Sequence, residues 1–349
     1  MEKIDKPNIF NFATTELTQD AFIAWLCSWA DPKYQEVNKV LNETANRLIE
    51  EFFRLHSKKL QAVRTIKVLT QVKDIDVLLI INEEFYVIIE DKVHSKAHSG
   101  QLEKYINSVK SDYEVDTSKT IPIFFKTGDQ CNYAYAEGKG YEVYKRSQFL
   151  NLLSVGINKG VTNQVFAEYY NYLKSMDDEI NSYKFKKVEK WDFAQWIGFY
   201  QKIKDQFDHR YWEYVSNPSG GFMAFWWNRI PINDNKQEVY IQVERDRLCF
   251  KISNTDKTAV KNGDKWYWKH KVEQIGNLKE YTIRKPKKFG SGKWVTFAVL
   301  EHKNTDNSNY WLKSDSSGKV NVEETINLMK DMGEVLNQSV KLHIEQTKE

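Results

Sequence analysis

Two consecutive apolar runs constrain this chain more than any other feature: Lys73–Asn82 and Phe85–Val93, each the length of a strand, joined by the short polar turn Asn82-Glu83-Glu84. Three charged residues, Asp76, Glu90 and Lys92, lie inside these runs. Side chains alternate faces along a strand, so Ile88, Glu90 and Lys92 point one way while Val87, Ile89 and Asp91 point the other. Charge placed among apolar strand residues is costly to desolvate unless it is paired or bound to a cation. The pattern therefore makes Asp76, Glu90 and Lys92 a candidate metal site. The competing reading, an exposed hairpin with solvated charges, conflicts with the apolar character of both faces, which predicts a sheet covered on two sides.

The flanking sequence predicts the rest of a mixed α/β layer. Thr14 and Thr15 open an amphipathic helix with Leu17, Phe22, Trp25, Leu26 and Trp29 on its apolar positions, stopped by Pro32. A second helix follows over Gln35–His56. A strand over Ala62–Val72 then joins the two apolar runs in a three-stranded antiparallel meander. Gly100 precedes a helix that begins at Gln101, and Ile121–Lys126 is a fourth strand. The predicted order is two helices, three strands, helix, strand, with the acids near the middle.

At this point the residues carry a resemblance. Asp76, thirteen intervening residues, then Glu90-x-Lys92 across a hairpin resembles the active-site signature of the PD-(D/E)XK nuclease superfamily, with Ile75 where the leading proline often stands. Gln101-Leu-Glu-Lys-Tyr105 is similar to the Q-x-x-x-Y helix of RecB-like members, and Gln101 and Tyr105, four apart, share a helix face. The resemblance covers roughly residues 10–130. It implies a restriction-endonuclease-like core in which Glu16, Asp76 and Glu90 bind a divalent metal, Mg²⁺ or Mn²⁺, and Lys92 assists the attacking water. It also implies that Gln101 and Tyr105 approach the backbone of DNA, RNA not being excluded, and that the carbonyl of residue 91 serves as an extra ligand. By the habit of that family, a role in restriction or anti-phage defence follows, alone, as a homodimer or with a complex partner. The alternative is a catalytically silent or partner-activated nucleic-acid-binding subunit.

Several neighbours receive weaker assignments. His98, just before the Gln/Tyr helix, is a candidate phosphate contact, while His94 reads as a loop residue; no third Cys or His lies near enough in sequence to make them a zinc pair. Asp74 shares the face of Asp76 by alternation and is a further ligand or, as the favoured reading, sits at the strand mouth in solvent or pairs with Lys73 or Arg64. Asp91, aimed away, is assigned a structural hydrogen bond or ion pair, and Gln19 and Asp20 a role supporting the first helix.

Beyond residue 146 the chain turns helical, and beyond 208 it becomes aromatic-rich and alternating. We divide it into a nuclease-like domain (1–146), a helical connector (147–208) and a mainly β domain ending in a helix (209–349). Turn formers there include Asn262-Gly263. Net charge is only +3, so any nucleic-acid surface must be regional. Residues 251–293 supply one candidate, with twelve Lys/Arg against four Asp/Glu, including Arg284, Lys285, Lys287 and Lys288, interleaved with Trp266, Tyr267, Trp268 and Tyr281. The competing reading is a lysine-guarded sheet edge. Three scattered cysteines fit a reduced, cytoplasmic setting, and the apolar stretch Ala21–Ala30 is too short to span a bilayer.

Overall fold

The computed structural model describes residues 8–12, 15–217, 220–245, 247–301 and 311–347. The chain divides into two compact units, Met1–Asp178 and Glu179–Glu349. The first contains α1 (Glu16–Ser28), α2 (Lys39–Leu55), β1 (Ile66–Val72), β2 (Ile75–Ile81), β3 (Phe85–Lys92), α3 (Gln101–Asp112), β4 (Thr120–Lys126), α4 (Ala134–Glu137), β5 (Glu142–Lys145), α5 (Arg146–Asn158) and α6 (Gln164–Asn181), whose last turn crosses the boundary. The expected meander is present: β1–β2 and β2–β3 are antiparallel, and β4 and then β5 join in parallel to complete the order β1-β2-β3-β4-β5. The strand read from Ala62 begins only at Ile66.

Alternation assigns the two faces of this sheet. Val77, Leu79, Val87, Ile89, Ile123 and Phe125 enter one core, with α1, α2, α5 and α6. Leu78, Ile88 and Phe124 enter a second core, with Leu102, Tyr105 and Val109 of α3. A sheet buried on both faces explains why β2 and β3 read as nearly continuous apolar runs. Asn38 caps α2 by accepting from the Leu41 N–H at 3.1 Å. Thr15 is the N-cap of α1 without a side-chain bond, and Thr14 lies outside the described residues.

The second unit contains α7 (Phe193–Ile203), β6 (Tyr211–Val215), β7 (Phe222–Ile232), β8 (Gln237–Glu244), β9 (Arg247–Asn254), α8 (Asn262–Leu278), β10 (Ile283–Arg284), β11 (Trp294–Leu300) and α9 (Val322–Gln346). Its strands form an antiparallel sheet in the order β10-β11-β9-β8-β7-β6. The stretch 147–208 read as a connector is shared out: Phe149, Leu152, Leu153, Phe166 and Tyr169 are core residues of the first unit, while α7 belongs to the second. One local expectation is corrected. Asn262 and Gly263 open α8 rather than making a turn, because Trp268, Val272 and Ile275 recur at helical spacing just beyond them and are buried. Among the described residues, no helix is long and apolar enough to cross a membrane.

Candidate active site

The predicted site residues gather where several element ends meet. Val77 of β2 pairs with Ile89 of β3, so the next residues along, Asp76 and Glu90, leave the sheet side by side. Parallel pairing of Lys92 with Lys126 brings the carboxyl ends of β3 and β4 to the same edge. Ligands of α/β sheets commonly bind at such ends. Glu16, in the first turn of α1, reaches the same edge: its Oε1 accepts from the Val93 N–H at 3.2 Å and from the Ser95 hydroxyl at 2.6 Å. Gly128 allows the close approach there, since a Cβ on it would fall 1.8 Å from the Val93 carbonyl oxygen.

Lys92 is the hub. Its Nζ lies 2.6 Å from Glu90 Oε1, 3.6 Å from Glu16 Oε2 and 3.8 Å from Asp76 Oδ2, and it donates to the Asp91 carbonyl oxygen at 3.0 Å. Asp76 Oδ2 also accepts from the Asp91 N–H at 2.8 Å, which fixes its carboxylate against β3. Three carboxylates thus face one ammonium in a site where Glu90 is 0% and Lys92 6% exposed. Burial, then the charge of Asp76, pushes the Glu90 carboxyl up to about 8. Burial opposes the charge on Lys92, yet the Glu90 carboxylate, helped by Asp76 and Glu16, outweighs it and holds the ammonium above its ordinary pKa. For Glu16, burial is likewise outweighed, here by Ser95, Lys92 and backbone N–H groups, and its carboxyl is lowered.

Behind this cluster, on the opposite face of β3, the Asp91 carboxylate is fully buried and accepts from Gln19 Nε2. Gln19 Oε1 accepts in turn from the Thr127 hydroxyl at 2.6 Å and the Tyr169 hydroxyl at 2.8 Å. One buried amide therefore ties α1 to β3, to the end of β4 and to α6. Asp20 lies beside Asp91: burial, then the charge of Asp76, pushes its carboxyl up to about 7, and burial followed by the charge of Asp20 raises Asp91 as well.

The remaining predicted residues fall as follows. Gln101 Nε2 donates to the Tyr105 hydroxyl at 2.8 Å, and Gln101 Oε1 accepts from the His98 N–H at 3.2 Å. Gly100, in the left-handed conformation, starts that helix. Burial raises the Tyr105 phenol, and α3 packs on β3 and β4 through Leu102, Tyr105 and Val109. His98 is exposed and engages through its backbone, its carbonyl accepting from the Tyr135 hydroxyl at 3.1 Å; His94 is also exposed. Asp74 is not on the strand face. It sits in the left-handed turn Lys73-Asp74 and pairs at 2.6 Å with Lys104 in solvent, because β2 begins only at Ile75.

Lys126 went unread in the sequence. It is 1% exposed, donates to the Ser95 carbonyl at 2.6 Å, and is pushed by burial down to about 8. Only the parallel register with β3 reveals it, and no local pattern encodes that register.

Whether these groups suit a divalent cation is tested by the donor set. Among the described residues no three His, Cys, Asp or Glu side chains are gathered into a ready cage. Yet both oxygens of the buried Glu90 carboxylate lack an aligned hydrogen bond, and a lysine ammonium already stands among the acids as a cation in contact with the 91 carbonyl. Asp76, Glu90 and that carbonyl supply the hard oxygen donors that Mg²⁺ prefers, so the residues fit.

The profile of the PD-(D/E)XK nuclease superfamily matches residues 7–195, more than half of the chain, and the chain belongs to that superfamily. No curated protein and no solved structure matches it.

Proposed function

We propose that the chain is a Mg²⁺-dependent nuclease that hydrolyses DNA phosphodiester bonds at the Asp76/Glu90/Lys92 edge, Mn²⁺ serving in place of Mg²⁺. The observation that carries this reading is the surplus of acid around Lys92: three carboxylates, one ammonium, and a buried Glu90 without an aligned partner. Asp76, Glu90 and the Asp91 carbonyl would hold the cation, with Glu16 completing its surroundings. Bound there, the ion supplies Lewis-acid stabilisation of phosphoryl charge and lowers the pKa of water.

The chain's own residues do the rest. Lys92, kept charged by its acid neighbours, donates hydrogen bonds and neutralises phosphate oxygens where negative charge builds up. Gln101 and Tyr105, joined on one face of α3, position the nucleic-acid backbone. Gln19 fixes the register of α1 against β3 and so the reach of Glu16.

Purified full-length chain incubated with linear, circular, single-stranded and duplex DNA, and with RNA, tests the reading. Cleavage should require Mg²⁺ or Mn²⁺ and fall by roughly a hundredfold or more in Asp76→Ala and in Lys92→Ala. Undiminished cutting in both variants would remove the site. By the habit of the superfamily we assign the reaction to restriction or anti-phage defence; equal phage plating on cells carrying the wild-type or the Asp76→Ala chain would refute that setting.

A further inference from the structure

The second unit carries cations that the acid site does not use. Of the basic residues in 251–293, several are spent within the fold. Lys265 is buried and donates to the Gly290 carbonyl at 2.8 Å, Lys251 pairs with Glu244 at 3.1 Å, Lys269 pairs with Glu273 at 2.5 Å, and Lys271 is buried against Gln346. The aromatics sort in the same way. Trp268 is 2% exposed and packs on Phe297, while the Tyr267 and Tyr281 hydroxyls bond His343 and Asp331.

Arg284 pairs with Glu301 at 3.7 Å and Lys293 lies over Trp294, and among the rest one group is compact. Trp266 is 43% exposed on α8, and the His270 ring, one turn on, stacks near it at 5.8 Å with planes 21° apart. Phe289 meets Trp266 edge-on at 5.2 Å. Lys285, in the segment after β10, holds its ammonium 5.4 Å from the Trp266 ring and 5.7 Å from the Phe289 ring. Lys287 and Lys288 are exposed and have no carboxylate partner among the described residues. A half-exposed tryptophan thus touches two rings and one lysine ammonium, and two further exposed lysines follow Lys285 within three residues of chain.

We propose that Trp266, His270, Phe289, Lys285, Lys287 and Lys288 form a second nucleic-acid surface that takes a single-stranded segment. A base stacks on the Trp266 platform while the neighbouring phosphates pair with the lysines. Stacking on an exposed ring needs a free base face, which a duplex withholds in its own stack and a single strand offers. The lysines add the salt-dependent phosphate attraction. Among the described residues Lys285 is held over rings alone, so its ammonium is free to pass to a phosphate as the base arrives. The surface binds rather than cuts, so it stands independently of the nuclease reading.

Fluorescence anisotropy tests it, using full-length chain in EDTA with labelled oligothymidylate, a duplex of the same length, and polyglutamate as competitor. Oligothymidylate should bind more tightly than the duplex. Trp266→Ala should weaken it roughly tenfold and Trp266→Phe far less. Replacing Lys287 and Lys288 together with Ala should flatten the slope of log affinity against log salt by about 1.4, about 0.7 for each lost phosphate contact. If Trp266→Ala melts below the parent, the Trp266→Phe and double-lysine variants carry the test alone. Unchanged affinity and slope in these variants would overturn the proposal. So would tighter duplex binding, or displacement by polyglutamate as effective as by unlabelled oligothymidylate.

Discussion

Each unit holds a cluster of charge, and the two clusters are built on opposite terms. Around Lys92 the charges are buried or half-buried, outnumbered by acids, and locked to backbone groups, so the protonation of Glu90 and Lys92 depends on their neighbours. Around Lys287 and Lys288 the charges are solvated and lack acid partners among the described residues, so their energetics belong to water and salt. The difference teaches where chemistry and where attraction reside in this molecule. A buried surplus of one sign demands a counter-ion and costs stability until it has one, whereas an exposed surplus costs little and acts at a distance.

The largest effect expected from this contrast is on stability. Gln19→Ala strips partners from the buried Asp91 carboxylate and from the Thr127 and Tyr169 hydroxyls. Urea unfolding should register a loss of about 2–4 kcal/mol. Lys288→Ala, measured alongside, should stay within about 0.5 kcal/mol of the parent. Equal costs at both positions would erase the distinction.

A smaller effect sharpens it. Glu90 has its carboxyl raised from 4.5 to about 8, so between those values the folded chain keeps a proton that the unfolded chain releases. Stability should therefore fall as pH rises through that window, and Asp20, raised from 3.8 to about 7, adds a slope of the same sign. Glu90→Gln removes its share. Thermal melts in EDTA should show a flatter pH profile for this variant and, above pH 8, a midpoint roughly 2–4 °C above the parent. A steeper profile in the variant would mean that the Glu90 carboxyl is not held protonated.

Much of this was legible in the sequence, and the limit of legibility is the range of the interaction. Asp76, Glu90 and Lys92 share a face because strand alternation and a short turn dictate it, and Gln101 and Tyr105 meet because four residues make a helical turn. Both rules are local. The mixed sheet with a second, mainly β unit also follows from local runs of apolar residues. Lys126 arrives by a parallel pairing across α3, and the Gln19–Asp91–Thr127–Tyr169 knot joins residues up to 150 apart in the chain, so no local pattern points to either. Asp74 lies at the strand mouth in solvent, as its position before β2 suggests, and the ligand alternative fails because alternation does not extend into a turn with a left-handed backbone. Asn262-Gly263 is a common turn-forming dipeptide, but the helical spacing of Trp268, Val272 and Ile275 beyond it decides the local structure.

The acids around Lys92 are expected to hold a divalent cation, and calorimetric titration of Mn²⁺ into the full-length chain, buffered above the Glu90 pKa of about 8, tests this most directly. The wild type should bind at least one ion, with Asp76→Ala and Glu90→Gln each binding at least roughly tenfold more weakly while remaining folded. Binding that is undiminished in both variants, or absent from the wild type, would contradict it.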